Sequence, residues 1–200
     1  AGVNTSQIQC VPDPTGTALI VVDADGENSI VVCPGANYDL NPTLVRIDPH
    51  GAVLCQLELL PGTIETVLAL TDGFVAINAS PITQLTPDLR RRAQLLIVNE
   101  TEFAGLTDLA TVPLTARTLG ERGAILYQYG EPIAEAAVAA AEVTNTVGAG
   151  DAFAAALTLG LLRGDPPDQA LHRACAVGAA AVGDPRSQPA LEPLDRYPGH

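Results

Sequence analysis

The chain contains no lysine, and its ten basic residues are all arginines. Set against 23 acidic residues, they leave a formal net charge of −13. Proteins that bind nucleic acid place clustered basic side chains against the phosphate backbone, so this charge argues against a nucleic-acid partner. The only basic run, Arg90 to Arg92, is interpreted as the solvated face of a short helix.

Methionine and tryptophan are also absent, and no uninterrupted apolar run reaches the roughly 18 residues that a membrane-spanning helix needs. No basic segment precedes an apolar block, so the sequence predicts no signal peptide. We therefore expect a cytoplasmic protein without a membrane partner. Because no methionine stands at its start, we also expect the chain to be part of a longer protein.

Cysteine is scarce, and the four cysteines lack the spacing of a metal site. We interpret them as free thiols of the core. They are Cys10, Cys33, Cys55 and Cys175. With 47% apolar residues in a length of 200, the chain is long enough for one domain with a hydrophobic core.

Strand signals and helix signals alternate along much of the chain. Two segments rich in β-branched residues, 14–23 and 28–33, predict a hairpin whose turn contains Gly26. The strand at 52–57 is a continuous apolar run and is expected to be covered on both faces. Further strands are predicted at 73–78, 94–98, 124–129 and 136–143, and helices at 42–47, at 63–70, from 86, at 151–162 and at 165–182.

A glycine-rich turn at residues 145–150, the glycine turn, leads directly into the predicted helix at 151–162. Gly148, Ala149 and Gly150 carry little or no side chain, so their N–H groups can surround an anion at the helix N-terminus. A carboxylate beside a phosphate is electrostatically unfavourable, which suggests that Asp151 accepts a proton from a hydroxyl attacking phosphorus. The alternative is a plain small-residue turn in which Asp151 only complements the helix dipole.

Four segments resemble signatures of the ribokinase (PfkB) family of sugar kinases. Asn145 to Phe153 is close to the family's Asp-Thr-x-Gly-Ala-Gly-Asp-x-Phe, and Asn99 to Glu102 matches its Asn-x-x-Glu. Thr118 to Gly123 matches its Thr-Leu-Gly-x-x-Gly turn, and residues 15–37 resemble the strands that cover the sugar. The resemblance extends over nearly all of the chain, but the family's N-terminal portion has no counterpart.

This resemblance implies an α/β, three-layer ribokinase-like fold with a mostly parallel central sheet and a small β-lid within 15–37. The domain would occupy residues 1–200 and lack the family's N-terminal portion. Only 15 residues separate Glu102 from Thr118, where relatives have a helix and a strand, so a segment is expected to be missing there. Relatives often pair through their lids, which implies a homodimer.

The resemblance also implies roles for individual residues. Asp151 would be the catalytic base and contact the substrate, and the amides of Gly148, Ala149 and Gly150 would form the anion hole. Glu58, near the end of a predicted strand, would lie close to the sugar. Its alternative role is to cap the entry to the next helix.

Two further motifs are assigned to Mg²⁺ and the nucleotide. Asn99 and Glu102 would organise the phosphates and, through water, Mg²⁺. The alternative is that Asn99 caps a helix and Glu102 completes a capping box, and both roles can hold together. Thr118 and Gly120 would contact the phosphates of ATP, although a glycine-rich hairpin explains them equally well. Cys175 is expected to contact the nucleotide.

The resemblance finally implies a monovalent-cation site, in degenerate form. Its positions are Asn145, Val147, Ala181, Arg186 and Ala190. Asn145 replaces the family's Asp, Arg186 stands where many relatives have Gly, and Ala190 stands where ribokinases tend to have Ser. These replacements disfavour activation by K⁺.

The implied reaction is transfer of the γ-phosphoryl group of ATP to a sugar hydroxyl, with ribose to ribose 5-phosphate as the leading expectation and Mg²⁺ as cofactor. One alternative is a kinase that acts on a nucleoside or another sugar. The other is a relative that binds a sugar or nucleotide without catalysis, which the replacements at Asn145 and Arg186 suggest.

Overall fold

The computed structural model describes residues 2–22, 28–138 and 143–199 of the chain. The strands in this part are β1 Thr17–Val22, β2 Asn28–Cys33, β3 Val53–Gln56, β4 Val75–Asn78, β5 Leu95–Val98, β6 Leu114–Thr118, β7 Ala124–Gln128 and β8 Glu131–Ala136. The α-helices are α1 Pro61–Leu68, α2 Pro87–Arg92, α3 Glu100–Ala104, α4 Ala149–Leu162 and α5 Pro167–Val182.

Six strands form one central sheet in the order β3-β4-β5-β6-β7-β8. The four strands from β3 to β6 run parallel to one another, and β7 and β8 extend the sheet as antiparallel neighbours. The parallel strands are joined through intervening helices or turns, as their direction requires. The predicted α/β fold with a mostly parallel sheet is therefore confirmed.

Helices cover both faces of this sheet. Side chains along β5 alternate between two hydrophobic clusters, because successive residues of a strand point to opposite faces. Leu95 and Ile97 belong to the cluster that contains Leu157 of α4 and Leu171 of α5, whereas Leu96 belongs to the cluster under α1 and α2. All four β5 residues are buried, as a strand between two helical layers must be. The three-layer prediction is confirmed.

Local signals in the sequence set the ends of several helices. Thr86 caps α2 because its hydroxyl accepts a hydrogen bond from the Leu89 N–H at 3.2 Å, and Pro87 occupies the first helical position. Gly164 follows the end of α4 with φ 82°, the left-handed conformation that glycine adopts without strain. α5 begins at Pro167 and ends at Val182, close to its predicted range.

The edge of the sheet departs from the sequence-based expectation. β3 is the edge strand and pairs only with β4 among the described residues. Its side chains alternate between half-buried and exposed, and Leu54 is 40% exposed. The prediction that this strand is covered on both faces was therefore wrong, because an apolar run alone does not distinguish a central strand from an edge strand.

Two strands lie where the sequence did not predict them. The interval between Glu102 and Thr118 contains the end of α3 and the whole of β6, which pairs directly with β5. No segment is needed to connect them. β8 ends at Ala136, where the predicted strand at 136–143 was expected to begin, while Ala137 and Val138 lie outside any strand. Residues 139–142 of that prediction lie outside the described part of the chain.

The predicted helix at 42–47 is shorter than expected. It is a 3₁₀ turn, Pro42–Leu44, capped by the side chain of Asn41. The cysteine prediction also needs correction, since Cys10 and Cys33 are exposed, Cys55 is half-buried and Cys175 alone is buried. No helix in the described ranges is long and apolar enough to cross a bilayer.

β1 and β2 form a separate two-stranded sheet, the lid hairpin, residues 17–22 and 28–33. The strands pair antiparallel from Thr17 opposite Cys33 onward. The turn predicted around Gly26 lies outside the described residues. Several apolar side chains of the lid hairpin are more than half exposed: Leu19, Val21, Val31 and Val32.

Candidate active site

Each parallel strand ends in a polar residue, or is followed by one, at the carboxyl end of the sheet. Gln56 is the last residue of β3, Asn78 the last of β4 and Thr118 the last of β6, and Asn99 directly follows β5. Ligands of open parallel sheets bind at this carboxyl edge. A cleft of about 240 Å³ opens there, lined by Leu54, Cys55, Gln56, Asn78, Asp151 and Ala154.

Asp151 faces this cleft from the first turn of α4. The residue is exposed, and its Oδ1 accepts a hydrogen bond from Gln56 Nε2 at 3.0 Å. The carboxylate is thus neither turned into the protein interior nor bonded away from the cleft. It can reach a ligand that enters the cleft.

The glycine turn places the start of α4 beside Asp151. Gly148 is the N-cap residue and has φ 81°, and a Cβ at this position would lie 3.2 Å from the Ser187 carbonyl oxygen. The first hydrogen bond into the helix runs from the Ala152 N–H to the Gly148 carbonyl at 2.9 Å. Within the described residues, the N–H groups of Gly150 and Asp151 have no such partner, as expected at a helix N-terminus. A Cβ on Gly150 would meet nothing within 4 Å, so the first turn of α4 is uncrowded on that side. Unpaired N–H groups at a helix N-terminus are suited to bind an anion.

A second loop, residues 183–190 or the Asp184 loop, packs beside the glycine turn. Asn145 connects the two, because its side-chain nitrogen donates to the Pro185 carbonyl at 3.3 Å and its backbone N–H donates to the Val182 carbonyl at 3.0 Å. Its side-chain oxygen accepts from the Val147 N–H at 3.0 Å. The positions that the resemblance assigned to a monovalent cation therefore lie on connected segments.

An internal ion pair closes the Asp184 loop. Arg186 donates to Asp184 from its backbone N–H and its Nε, each at 2.9 Å, and the Ala190 N–H donates to the same carboxylate at 3.0 Å. The Arg186 side chain, then the backbone donors, hold the pKa of Asp184 well below its usual range. The same pairing raises the pKa of Arg186. The Arg186 guanidinium thus stands as a fixed cation beside Asp184. Ala181, another predicted cation-site position, is fully buried in α5.

Asn99 and Glu102 form the capping box of α3. The Asn99 side-chain oxygen accepts from the Glu102 N–H, and the Glu102 carboxylate accepts from the Asn99 N–H, both at 2.8 Å. Glu102 is 8% exposed. Among the described residues no group of three or more His, Cys, Asp or Glu side chains could hold a metal directly. The second carboxylate oxygen of Glu102 is not used in the capping box. Glu102 therefore fits an ion such as Mg²⁺ that is held mainly by water and phosphate oxygens, and not one coordinated entirely by protein side chains.

The turn after β6 carries the other predicted nucleotide residues. The Thr118 hydroxyl donates to the Val98 carbonyl at 3.3 Å, which ties the ends of β6 and β5 together. Gly120 is exposed with φ 60°, and nothing would contact a Cβ there. The structure therefore leaves both residues at the carboxyl edge of the sheet, and Gly120 open to solvent.

Sequence reasoning missed a cluster of charges beside this turn. Glu100 accepts hydrogen bonds from Arg122 at 2.5 Å and from Arg117 at 3.1 Å. The bond from Arg122, followed by the positive charge of both arginines, lowers the pKa of Glu100. Arg117 also stacks over the Phe103 ring, 4.8 Å from its centroid. Arg122 is the more exposed guanidinium of the two.

Asp151 is the one predicted site residue among those that line the cleft, and the surroundings of Glu58 and Cys175 differ most from their predicted roles. Glu58 is exposed two residues beyond β3 and does not line the cleft. Cys175 is 3% exposed in the core, with its thiol directed at the Ala136 carbonyl at 3.8 Å, and burial raises its pKa to about 11. Its prediction as a nucleotide contact is corrected to a packing role, because it offers a nucleotide no accessible surface.

Gln56 and Asn78 were missed although they line the cleft. The signal for both is a polar side chain at the end of an apolar strand, the same signal that pointed to Glu58. Because β3 ends at Gln56, the polar side chain at the carboxyl end of this strand is that of Gln56 and not that of Glu58.

Comparison with known proteins gives a consistent result. The family model described as pfkB family carbohydrate kinase matches residues 1–193. Ribokinase from Arabidopsis thaliana is 29% identical over 210 residues, which cover 90% of this chain and 55% of that protein. Deoxyribokinase from Salmonella typhi is 27% identical over 226 residues, covering 98% of this chain and 74% of that protein.

A solved structure supports the same relationship. The crystal structure of ribokinase from Cryptococcus neoformans var. grubii serotype A in complex with ADP superposes with a TM-score of 0.79 at 27% identity. The match covers 97% of this chain and 75% of that one. The chain thus spans about half the length of the Arabidopsis protein and three quarters of the Cryptococcus one.

Proposed function

Because the chain belongs to the pfkB family of carbohydrate kinases, we propose that it carries the site for ATP-dependent phosphorylation of a sugar hydroxyl. The observation that carries this proposal is the position of Asp151. An exposed carboxylate lies in the cleft at the start of α4, directly after a turn whose N–H groups can receive an anion. In phosphoryl transfer a proton acceptor takes the proton of the attacking hydroxyl, and N–H groups at a helix N-terminus stabilise the charge of the phosphoryl group. Both groups act at the same phosphorus, so they must lie close together.

In the proposed reaction the acceptor hydroxyl attacks the γ-phosphorus of ATP. The bond from the hydroxyl oxygen to phosphorus forms, the bond from phosphorus to the leaving ADP oxygen breaks, and the hydroxyl proton passes to Asp151. The predicted anion hole of Gly148, Ala149 and Gly150 is revised, because the Ala149 N–H already donates to the Thr146 carbonyl at 3.4 Å. In the proposed site the N–H groups of Gly150 and Asp151 stabilise the negative charge on the transferring group. Mg²⁺ would neutralise phosphate oxygens, with Glu102 and Asn99 holding its water shell. The base contributes roughly 10²–10⁴-fold of the rate.

Ribose, phosphorylated at its 5-hydroxyl, is the proposed acceptor. The ribokinase from Arabidopsis and the ribokinase structure with ADP support this assignment. A second candidate is another sugar or a nucleoside, which the similarity to a deoxyribokinase favours. Kinetics with ribose, 2-deoxyribose, fructose and adenosine distinguish the candidates, since the true acceptor gives the highest kcat/KM.

A relative that binds ligands without catalysis remains the alternative from another class. It is favoured by Asn145 and Arg186, which change the charge beside the glycine turn. A coupled assay of ADP release by the whole protein, with the same panel of acceptors, separates the two. Turnover that depends on a sugar supports the kinase, whereas nucleotide binding in calorimetry without turnover supports the alternative.

We propose that this kinase does not depend on K⁺. The Arg186 guanidinium already neutralises Asp184, and that carboxylate is engaged by four donors: the N–H, Nε and Nη2 of Arg186 and the N–H of Ala190. Replacement of K⁺ by choline at constant ionic strength should leave turnover unchanged. A loss of turnover in choline that K⁺ restores would contradict the proposal.

We also propose that the protein is cytoplasmic and that it forms a homodimer through the lid hairpin. Leu19, Val31 and Val32 are exposed on a two-stranded sheet, and such a sheet is marginally stable alone. Sedimentation velocity should show a dimer that Val31→Ser weakens, whereas Leu162→Ser on exposed α4 surface should not. Cell fractionation tests the compartment. A monomer at all concentrations would refute the lid interface.

A further inference from the structure

Gln56 carries the one side chain that hydrogen-bonds to the Asp151 carboxylate within the described residues. Its Nε2 donates to Asp151 Oδ1 at 3.0 Å across 95 residues of sequence. The bond links the last residue of the edge strand β3 to the first turn of α4, and both residues line the cleft. Both side chains are exposed, so the bond is not needed to satisfy a buried polar atom.

The alternative partners of Asp151 lie on its own helix. A carboxylate in the first turn is attracted by the positive end of the helix dipole and by unpaired N–H groups. The N-cap residue is Gly148, whose lack of a side chain leaves those N–H groups to any nearby acceptor. A carboxylate that folded back onto them would occupy the donors that an incoming phosphoryl group requires.

The amide of Gln56 opposes this backward folding. It is a neutral donor, so it stabilises the ionised carboxylate without competing for its proton. Because it engages Oδ1, it leaves Oδ2 as the oxygen available to a ligand in the cleft. A hydrogen bond to a charged group is strong enough to decide between two orientations of one side chain.

We propose that Gln56 is a positioning residue of the site. It holds Asp151 toward the strand ends, so that Oδ2 faces the acceptor hydroxyl and the N–H groups of Gly150 and Asp151 stay free for the phosphoryl group. This inference rests on the proposed kinase function for its kinetic consequence, but its structural consequence does not depend on turnover.

The structural consequence is tested in ¹⁵N–¹H correlation spectra of the uniformly labelled protein without ligand. In Gln56→Leu, which keeps the size of the side chain but removes the donor, the N–H resonances of Gly150 and Asp151 should move downfield. The reason is that the released carboxylate accepts their hydrogen bonds. Gln128→Leu, at the exposed end of β7, is the matched control and should leave these resonances in place. Unchanged resonances in Gln56→Leu would overturn the proposal.

The kinetic consequence is tested with the acceptor that gives the highest turnover. Gln56→Leu should lower kcat by roughly tenfold to a hundredfold, the loss expected for one hydrogen bond to a charged group. In an Asp151→Asn background the same substitution should have little further effect on the residual rate, because the group it positions is already gone. An equal loss in both backgrounds would show a general structural effect and refute positioning.

These outcomes separate the inference from the proposed function. If the parent protein has no turnover with any acceptor, the kinase proposal fails, and the spectra alone still decide whether Gln56 sets the orientation of Asp151. If the parent protein turns over and Gln56→Leu matches it in kcat, the kinase proposal stands and the role of Gln56 falls.

Discussion

At the scale of single residues, Asp151 takes its position from two features on different elements. The left-handed backbone of Gly148 starts α4 so that Asp151 falls in its first turn, and Gln56 at the end of β3 draws the carboxylate toward the cleft. The first feature is local in sequence, and the second joins residues 95 positions apart. Only the first can be inferred from the glycine pattern.

Asn99 provides a stability test at this scale. Asn99→Ala removes the cap of α3 and leaves the Glu102 N–H without its acceptor, so we expect the free energy of unfolding to fall by about 1 kcal/mol. Urea denaturation followed by circular dichroism measures the change. Asn41→Ala, which removes the cap of an exposed 3₁₀ turn, should have a smaller effect. An unchanged free energy of unfolding in Asn99→Ala would mean that the α3 capping box does not stabilise the fold.

The residues at the site differ in how far the sequence reveals them. Asn99 and Glu102 could be predicted because their spacing makes a capping box from four consecutive residues. Glu100, Arg117 and Arg122 could not, because their ion pairs depend on β6 pairing beside β5. For Cys175 the apolar helical pattern correctly predicted a core thiol, whereas the nucleotide contact implied by the family resemblance does not fit its burial.

At the scale of elements, the strands show the same limit. β5 could be predicted correctly as a buried strand because all of its residues are apolar and it lies inside the sheet. β3 has the same apolar character, yet it is an edge strand, since its place in the order depends on pairing that sequence patterns do not encode. β8 was missed because Glu131, Pro132 and Glu135 interrupt its apolar pattern, and such a strand is typical of a sheet edge.

The turn between β6 and β7 requires glycine at position 123. Its φ is 101°, and a Cβ there would lie 1.9 Å from the Ala136 carbonyl oxygen. Gly123→Ala should therefore lower the free energy of unfolding by more than about 2 kcal/mol. Gly62→Ala on exposed α1 meets nothing within 4 Å and should instead stabilise by about 0.5–1 kcal/mol. Chemical denaturation of both variants checks the contrast, and similar changes in the two would contradict it.

The Asp184 loop gives a prediction about pH. Hydrogen bonds from Arg186 and Ala190 depress the pKa of Asp184 in the folded protein below the value of 3.8 for an unperturbed group. A depressed carboxyl pKa stabilises the folded state above the unfolded pKa, and this stabilisation is lost as pH falls through the lower, folded pKa. Asp184→Asn should therefore be less stable than the parent at pH 7.

The difference between the two proteins should shrink as pH falls below about 4, where the unfolded-state carboxyl becomes protonated. Thermal unfolding of both proteins across this range measures the difference. A gap of constant size from pH 7 to the acid limit would show that the ionised Asp184 contributes nothing through these bonds.

At the scale of the whole molecule, the site is assembled from segments spread along the chain. Strand ends at Gln56 and Asn78 line the cleft together with Asp151 of α4, and helices pack on both faces of the sheet. The chain carries a net charge of −13, but at this end of the sheet three arginines, Arg117, Arg122 and Arg186, stand against two partner carboxylates, Glu100 and Asp184. This arrangement suits the transfer of a phosphoryl group, which needs local positive charge regardless of the overall sign.

The measurement that tests the proposed reaction most directly is the turnover of Asp151→Asn in the whole protein. We predict that kcat falls by at least roughly 10²–10⁴-fold, because the proton acceptor is lost, while the dissociation constant for ATP in calorimetry is unchanged. Asp168→Asn, in the first turn of α5, is the matched control and should keep the parent rate. Full turnover in Asp151→Asn would contradict the assignment of this carboxylate as the base and, with it, the proposed mechanism.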